Sequence, residues 1–291
     1  MVSLGGGIDV LAGGLAFPEG PAFGADGRLW FVEIKGGCVS CWDGGDVVRY
    51  ESGGAPNGVA FDWRGRIWFC DSARNEIRTF DPVTEAFETI CESVDGKALD
   101  KPNDLAFDAK GNLVFTCPGD SRTEPTGYVC CLGLDGTTTK IREGLYFPNG
   151  LAFTADGIEL VVAETYRQRL WRGAWDAGGR AWIEPKPWAE NMGGAPGPDG
   201  MAFTSTGELA VAVYGAGHVQ LRATGDDLEG VFELPGKNPT NVAFDPSGKL
   251  GIVVTEAERG LLLSLPDVKL SGARLFDGGG SAFTETYSQI P

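Results

Sequence analysis

Six prolines in this chain are each followed by an oxygen-bearing side chain: Pro18-Glu19, Pro56-Asn57, Pro102-Asn103, Pro148-Asn149, Pro198-Asp199 and Pro239-Thr240. Carboxylate and carboxamide oxygens are what hard divalent cations take, with positions left for water and a substrate. One such residue is ordinarily a turn former that satisfies nearby backbone donors. Six in register, with Glu and Asp where a turn needs neither, point instead to a cation site. The single histidine, His218 in YGAGHV, rules out a His-rich zinc centre. It reads as a strand or channel residue, and no Gly-x-Ser-x-Gly elbow accompanies it to support a serine nucleophile. Glu19 and Asp199 would suit paired-carboxylate glycoside hydrolysis, but no segment reads as an oligosaccharide groove.

The elements that must position these residues come from a repeat. Each proline opens the same pattern, ending in Phe, a glycine turn and a short apolar run: PEGPAFGADGRLWF at 18, PNGVAFDWRGRIWF at 56, PNDLAFDAKGNLVF at 102, PNGLAFTADGIELVV at 148, PDGMAFTSTGELAVA at 198 and PTNVAFDPSGKLGIVV at 239. The second copy reads as four strands, GVAFD, RIWFCD, IRTFD and AFETICE, rich in β-branched and aromatic residues and separated by Gly, Asp and Asn turns. Four strands per unit of about 45 residues predict an all-β fold, a six-bladed β-propeller with four antiparallel strands per blade. Pseudo-symmetry then places the six polar side chains at one height around the central channel. The N-terminal strand IDVLAG is expected to close the ring as the outer strand of the last blade, in competition with ARLFDG near the C-terminus. The whole of 1–291 reads as one domain, with 278–291 a surface tail. A second layer, Glu33, Asp71, Cys117, Glu164, Val213 and Glu256, is acidic at four of six positions and is expected to cap turns.

With 45 glycines and 17 prolines, turn formers make up about a fifth of the 291 residues, below the level of low-complexity disorder. The net charge of −16 repels phosphate backbones and anionic lipid, so neither nucleic acid nor membrane is an expected partner. No run approaches the length of an apolar spanning helix, and the N-terminus lacks a basic leader region. All seven cysteines precede residue 132, an odd and uneven set that reads as reduced thiols in a cytoplasmic protein. Cys38-x-x-Cys41 sits in a strand-like stretch with no second pair, which argues against zinc. The acidic surface favours a monomer.

Glu-Gly-Pro at 19–21, Pro-Asn-Asp at 102–104, Phe-Pro-Asn-Gly at 147–150, Val-Ala-Glu-Thr at 162–165 and Pro-Asp-Gly at 198–200 resemble the gluconolactonase / senescence-marker-protein (regucalcin) / luciferin-regenerating-enzyme family. The resemblance runs over roughly residues 8–265. It implies a six-bladed propeller with one divalent metal (Ca, Mn, Zn or Fe(II)) in the channel mouth, held by Glu19, Asn149 and Asp199. It implies Asn103 as a substrate or water contact and Lys101 in a place where many members have Arg. Lys offers a point charge instead of a planar fork. Cys117 is a second departure, standing where related sequences carry a carboxylate. The implied activity is metal-dependent hydrolysis of a sugar lactone, with Asp199 as general base and Asn57 as an added substrate contact. The alternatives are a metal-dependent phosphotriesterase or arylesterase and a non-catalytic ligand-binding propeller. The loops at 117–127 and 189–197 interrupt the repeat and are expected at the channel mouth.

Overall fold

A computed structural model describes residues 2–225 and 227–279. Six four-stranded antiparallel sheets follow one another along the chain. Their innermost strands are Pro18–Phe23, Pro56–Phe61, Leu105–Phe107, Pro148–Phe153, Gly197–Phe203 and Pro239–Phe244. We number the blades 1 to 6 in that order. The second strands, such as Leu29–Glu33, Ile67–Asp71 and Leu113–Cys117, are buried at every position. They lie between neighbouring blades, so both faces are covered and apolar runs replace alternation. The outer strand Val47–Glu51 meets solvent and is mostly polar or half-exposed.

The N-terminal strand closes the ring as expected. Asp9–Ala12 pairs antiparallel with Leu261–Leu265, Asp9 opposite Ser264, as the outer strand of blade 6. The rival segment ARLFDG does something else: it crosses the strand-joining turns of the other blades. Ala273 N donates to Phe203 O at 2.8 Å, the Phe276 ring lies 6.5 Å from Phe153, and Trp63 N donates to Asp277 O at 2.8 Å. The expected surface tail falls almost wholly on residues 280–291, which lie outside the described residues.

All seven cysteines are free and buried. Cys38 and Cys41 share the strand Cys38–Trp42, where odd spacing sends their side chains to opposite faces. His218 begins the third strand of blade 5, buried, with its ring pKa lowered by that burial.

The acidic second layer caps loops. Glu33 accepts from Ala16 N at 2.7 Å, Asp71 from Ala55 N at 3.0 Å, Glu164 from Tyr146 N at 2.7 Å and Glu256 from Asn238 N at 2.9 Å. Each of these N–H groups lies one or two residues before a repeat proline, so each carboxylate sets the start of its own blade's innermost strand. Blade 3 has Cys117 at this position and uses a different acceptor. Tyr128, directly opposite Cys117 in the ladder, accepts from Asp100 N through its hydroxyl at 3.0 Å. Removing that acceptor by Tyr128→Phe is expected to cost about 1 kcal/mol, read from the urea midpoint. An unchanged midpoint would show that water serves Asp100 equally well.

Candidate metal centre

Glu19, Asn57, Asn149 and Asp199 are all buried at the proline ends of their innermost strands. Four of these strands break register just past the polar position, between Glu19 and Ala22, Asn57 and Ala60, Pro148 and Leu151, and Pro198 and Met201. Such bulges end regular pairing and re-aim a side chain. Asn103 is half-buried, and its backbone N–H donates to Thr116 O at 2.9 Å. Lys101 is exposed, with Nζ 2.7 Å from Asp120 Oδ2 on the loop at 117–127.

Two residues that the repeat did not single out belong to the same centre. In blades 3 and 6 the next position along, Gly20, Gly58, Gly150 and Gly200 elsewhere, carries Asp104 and Asn241. Both are buried. Neighbouring blades make room for them: a Cβ on Gly58 would lie 2.5 Å from Asp104 Oδ1, and one on Gly200 would run into the Asn241 side chain. Thr240, expected on the channel, instead spends its hydroxyl on Pro18 O at 2.8 Å and on Thr255. The available signal was the non-glycine after Pro102-Asn103 and Pro239-Thr240.

Three buried threonines hold the backbone of the three expected metal ligands. Thr240 Oγ1 donates to Pro18 O, next to Glu19; Thr116 Oγ1 donates to Asn149 O at 2.9 Å; Thr165 Oγ1 donates to Pro198 O, next to Asp199, at 2.7 Å. In each case the threonine comes from the preceding blade. Blade-to-blade contact therefore sets where the oxygens sit, and no local motif announces it.

Three buried carboxyls act on one another electrostatically. Burial, and then the charge of Asp104, push the Glu19 carboxyl from 4.5 up to about 8, against hydrogen bonds from Gly20 N and Asn241. Burial also lifts Asp104 from 3.8 to about 6, although Leu105 N donates to it at 2.8 Å. Asp199 is raised well above the ordinary range by burial, then by Glu19 and Asp104, with Asn149 pulling the other way. Among the described residues no lysine or arginine stands among the groups that shift any of the three. Among the described residues no three His, Cys, Asp or Glu side chains are by themselves arranged to hold a metal ion. The donor set here is mixed, with carboxamides beside the carboxylates. Buried carboxylates lacking a basic partner fit a divalent cation, which would supply the missing positive charge.

A pH dependence follows. With folded pKa values above the unfolded ones, the metal-free folded state binds more protons than the unfolded chain between about pH 4 and 8. Its stability is therefore greatest below that window and falls as pH rises through it. Divalent cation binding should release protons near neutrality and flatten the slope. Thermal midpoints in chelator and in calcium across pH 5–9 test this; a flat metal-free profile would contradict it.

Residues 17–258 match the family described as "SMP-30/Gluconolactonase/LRE-like region". The chain belongs to that family. Among relatives of this SMP-30/gluconolactonase/LRE-like chain, the diisopropyl-fluorophosphatase of Loligo vulgaris is 29% identical over 274 residues, 82% of this chain and 85% of that protein. The gluconolactonase of Zymomonas mobilis is 27% identical over 276 residues, 83% of this chain and 77% of that protein. A structure described as a calcium-binding protein, regucalcin, from Agrobacterium tumefaciens superposes with a TM-score of 0.82 at 20% identity, covering 93% of this chain and 97% of that one. At that identity the likeness speaks for the fold. No helix among the described residues is long and apolar enough to cross a membrane.

Proposed function

We propose that this chain hydrolyses a sugar lactone, an aldonolactone such as gluconolactone or a pentonolactone, to the aldonic acid at the channel centre. The observation that carries the reading is the trio of buried carboxyls, Glu19, Asp104 and Asp199, at the strand starts, with no basic residue among the described ones that shifts them. The chain is a lactonase-type hydrolase, in keeping with relatives named gluconolactonase and pentonolactonase.

Glu19, Asn149 and Asp199 would hold one divalent ion, with Asp104 and Asn241 adjoining them. When bound, the ion supplies Lewis acidity toward a carbonyl oxygen. Asp199 takes the proton of the attacking water at a carboxylate oxygen. Burial and the neighbouring Glu19 and Asp104 raise its carboxyl above the ordinary aspartate range, which favours proton uptake at this position. The same proton is then available to the alkoxide released when the ring C–O bond breaks. Asn57 and Asn103 orient substrate hydroxyls by their carboxamides. Lys101 reaches the substrate from the rim by loosening its ion pair with Asp120.

The test is proton release from a panel of aldonolactones by chelator-treated protein, with Ca²⁺, Mn²⁺, Zn²⁺ and Fe²⁺ added back singly. Turnover should appear only with metal. No acceleration over spontaneous opening with any ion would sink the proposal. A phosphotriesterase or arylesterase is the second reading, favoured by the diisopropyl-fluorophosphatase relative. A fluorophosphate and an aryl ester in the same panel give its measurement.

A further inference from the structure

The residues just before three of the repeat prolines have left-handed backbones: Phe17 at φ 63°, Lys101 at φ 49° and Phe147 at φ 58°. Positive φ is unusual for a bulky side chain, and a residue before proline normally avoids it. Surrounding hydrogen bonds hold it in place: Ile34 N donates to Phe17 O at 3.0 Å, Thr165 N to Phe147 O at 3.1 Å, and Ser121 Oγ accepts from Phe147 N at 2.9 Å. Lys101 adopts the same conformation, so the turn itself does not call for an aromatic ring. Phe17 and Phe147 are there for what their rings touch.

Phe17 stacks on Tyr214 with ring centroids 6.4 Å apart and planes 22° apart. Tyr214 ends the second strand of blade 5 and Phe17 precedes blade 1, so this pair reaches across blade 6. Phe147 packs against Tyr166 at 5.3 Å. Tyr214 lies opposite Gly197 in the blade 5 ladder, two residues before Asp199, and Thr165, next to Tyr166, donates to Pro198 O at 2.7 Å, so both pairs stand at the start of the strand that carries Asp199. Phe17, Phe147 and Tyr214 are half-buried and Tyr166 is 37% exposed. The neighbouring cations are already engaged. Lys35 Nζ lies 5.1 Å over Phe17, the Arg122 guanidinium 5.7 Å over Phe147, and Lys101 is paired with Asp120.

We propose that Phe17, Tyr214, Tyr166 and Phe147 form an apolar wall at the channel mouth that lets the same site open alkyl-substituted lactones as well as sugar lactones. Partly exposed rings held at a polar centre gain by covering an apolar substituent. Phe17 and Phe147 stand two residues before Glu19 and Asn149, so a lactone carbonyl held at these strand starts would bring a ring substituent toward the rings. The inference rests on the lactonase reading for its chemistry, which is the same ester hydrolysis: water adds, the ring C–O bond breaks, and a hydroxy acid leaves.

The experiment compares kcat/KM for δ-nonalactone and gluconolactone in the metal-loaded protein and in Phe17→Ala, Tyr214→Ala and Tyr214→Phe. The ratio of alkyl to sugar lactone should fall at least about tenfold in the two alanine variants. Tyr214→Phe, which keeps the ring, should hold it. A wild-type protein that opens gluconolactone but not δ-nonalactone, or alanine variants that lower both substrates alike, overturns the wall. Binding of the matching alkyl lactam, which is not hydrolysed, is followed in parallel by saturation-transfer NMR. Lactam binding that disappears in Tyr214→Ala supports the wall even if no lactone turns over, in which case the lactonase reading fails by itself. Absence of lactam binding by wild type overturns the wall.

Discussion

Asp199→Asn is expected to lower kcat for lactone opening by on the order of 10³-fold or more while leaving the protein folded. The substitution keeps the side chain's shape in its buried position but removes its ability to accept a proton near neutral pH. It also removes one of three mutually repelling carboxyls, since Glu19 and Asp104 both act on Asp199. Without metal, the variant should therefore melt higher than wild type at neutral and alkaline pH. The two effects have opposite signs, which separates a chemical role from damage to the fold. Rates at saturating metal distinguish base from ligand: activity restored by more metal would make Asp199 a ligand alone. Near-normal kcat with ordinary metal affinity would remove it from the mechanism.

Glu19→Gln is expected to abolish most of the thermal stabilisation that a divalent ion confers. At a metal concentration of about 100 times the dissociation constant, a binding site adds roughly 2.7 kcal/mol, or several degrees in Tm for a chain of this size. A hundredfold loss of affinity leaves only about 0.4 kcal/mol at the same concentration. Metal-free stability should hold or rise, because a neutral amide replaces a buried carboxyl that Asp104 already disfavours. Glu33→Gln is the contrasting variant in the same blade. Glu33 accepts from Ala16 N, Ser40 Oγ and Arg49 Nε at 2.6–2.9 Å, so it serves a loop and not the channel. Its loss should lower baseline stability and keep the metal response. Calorimetry with and without Ca²⁺ or Mn²⁺ reads both; a full metal shift in Glu19→Gln would take Glu19 out of the ligand set.

These two glutamates show how far the repeat could be read. Both were legible as members of a register; Glu33 is held by three loop and strand donors as a turn cap, whereas Glu19 is buried with only Gly20 N and Asn241 as hydrogen-bond partners. Cys117 was legible only as a gap. The hydroxyl that fills the role comes from Tyr128 on the adjacent strand, eleven residues along the chain. Thr240 shows the opposite error, a residue placed on the channel by register whose hydroxyl is taken up by the backbone of blade 1.

The sequence by itself determined the six-fold repeat, the four strands per unit and the closure by Asp9–Ala12, because strand alternation and turn chemistry are local and recur with each copy. It also determined that acids and amides would gather at the proline ends. Only the tertiary structure decided that Asp104 and Asn241 bury themselves beside the polar side chains of the other blades. That burial depends on how closely neighbouring innermost strands approach: Gly58 and Gly200 leave room that Asp104 and Asn241 fill. It likewise decided the anchoring of Glu19, Asn149 and Asp199 by threonines of the preceding blade, contacts as distant as 222 residues in sequence. Hydrogen bonds between blades join residues with no fixed spacing along the chain, so only the closed ring brings them together.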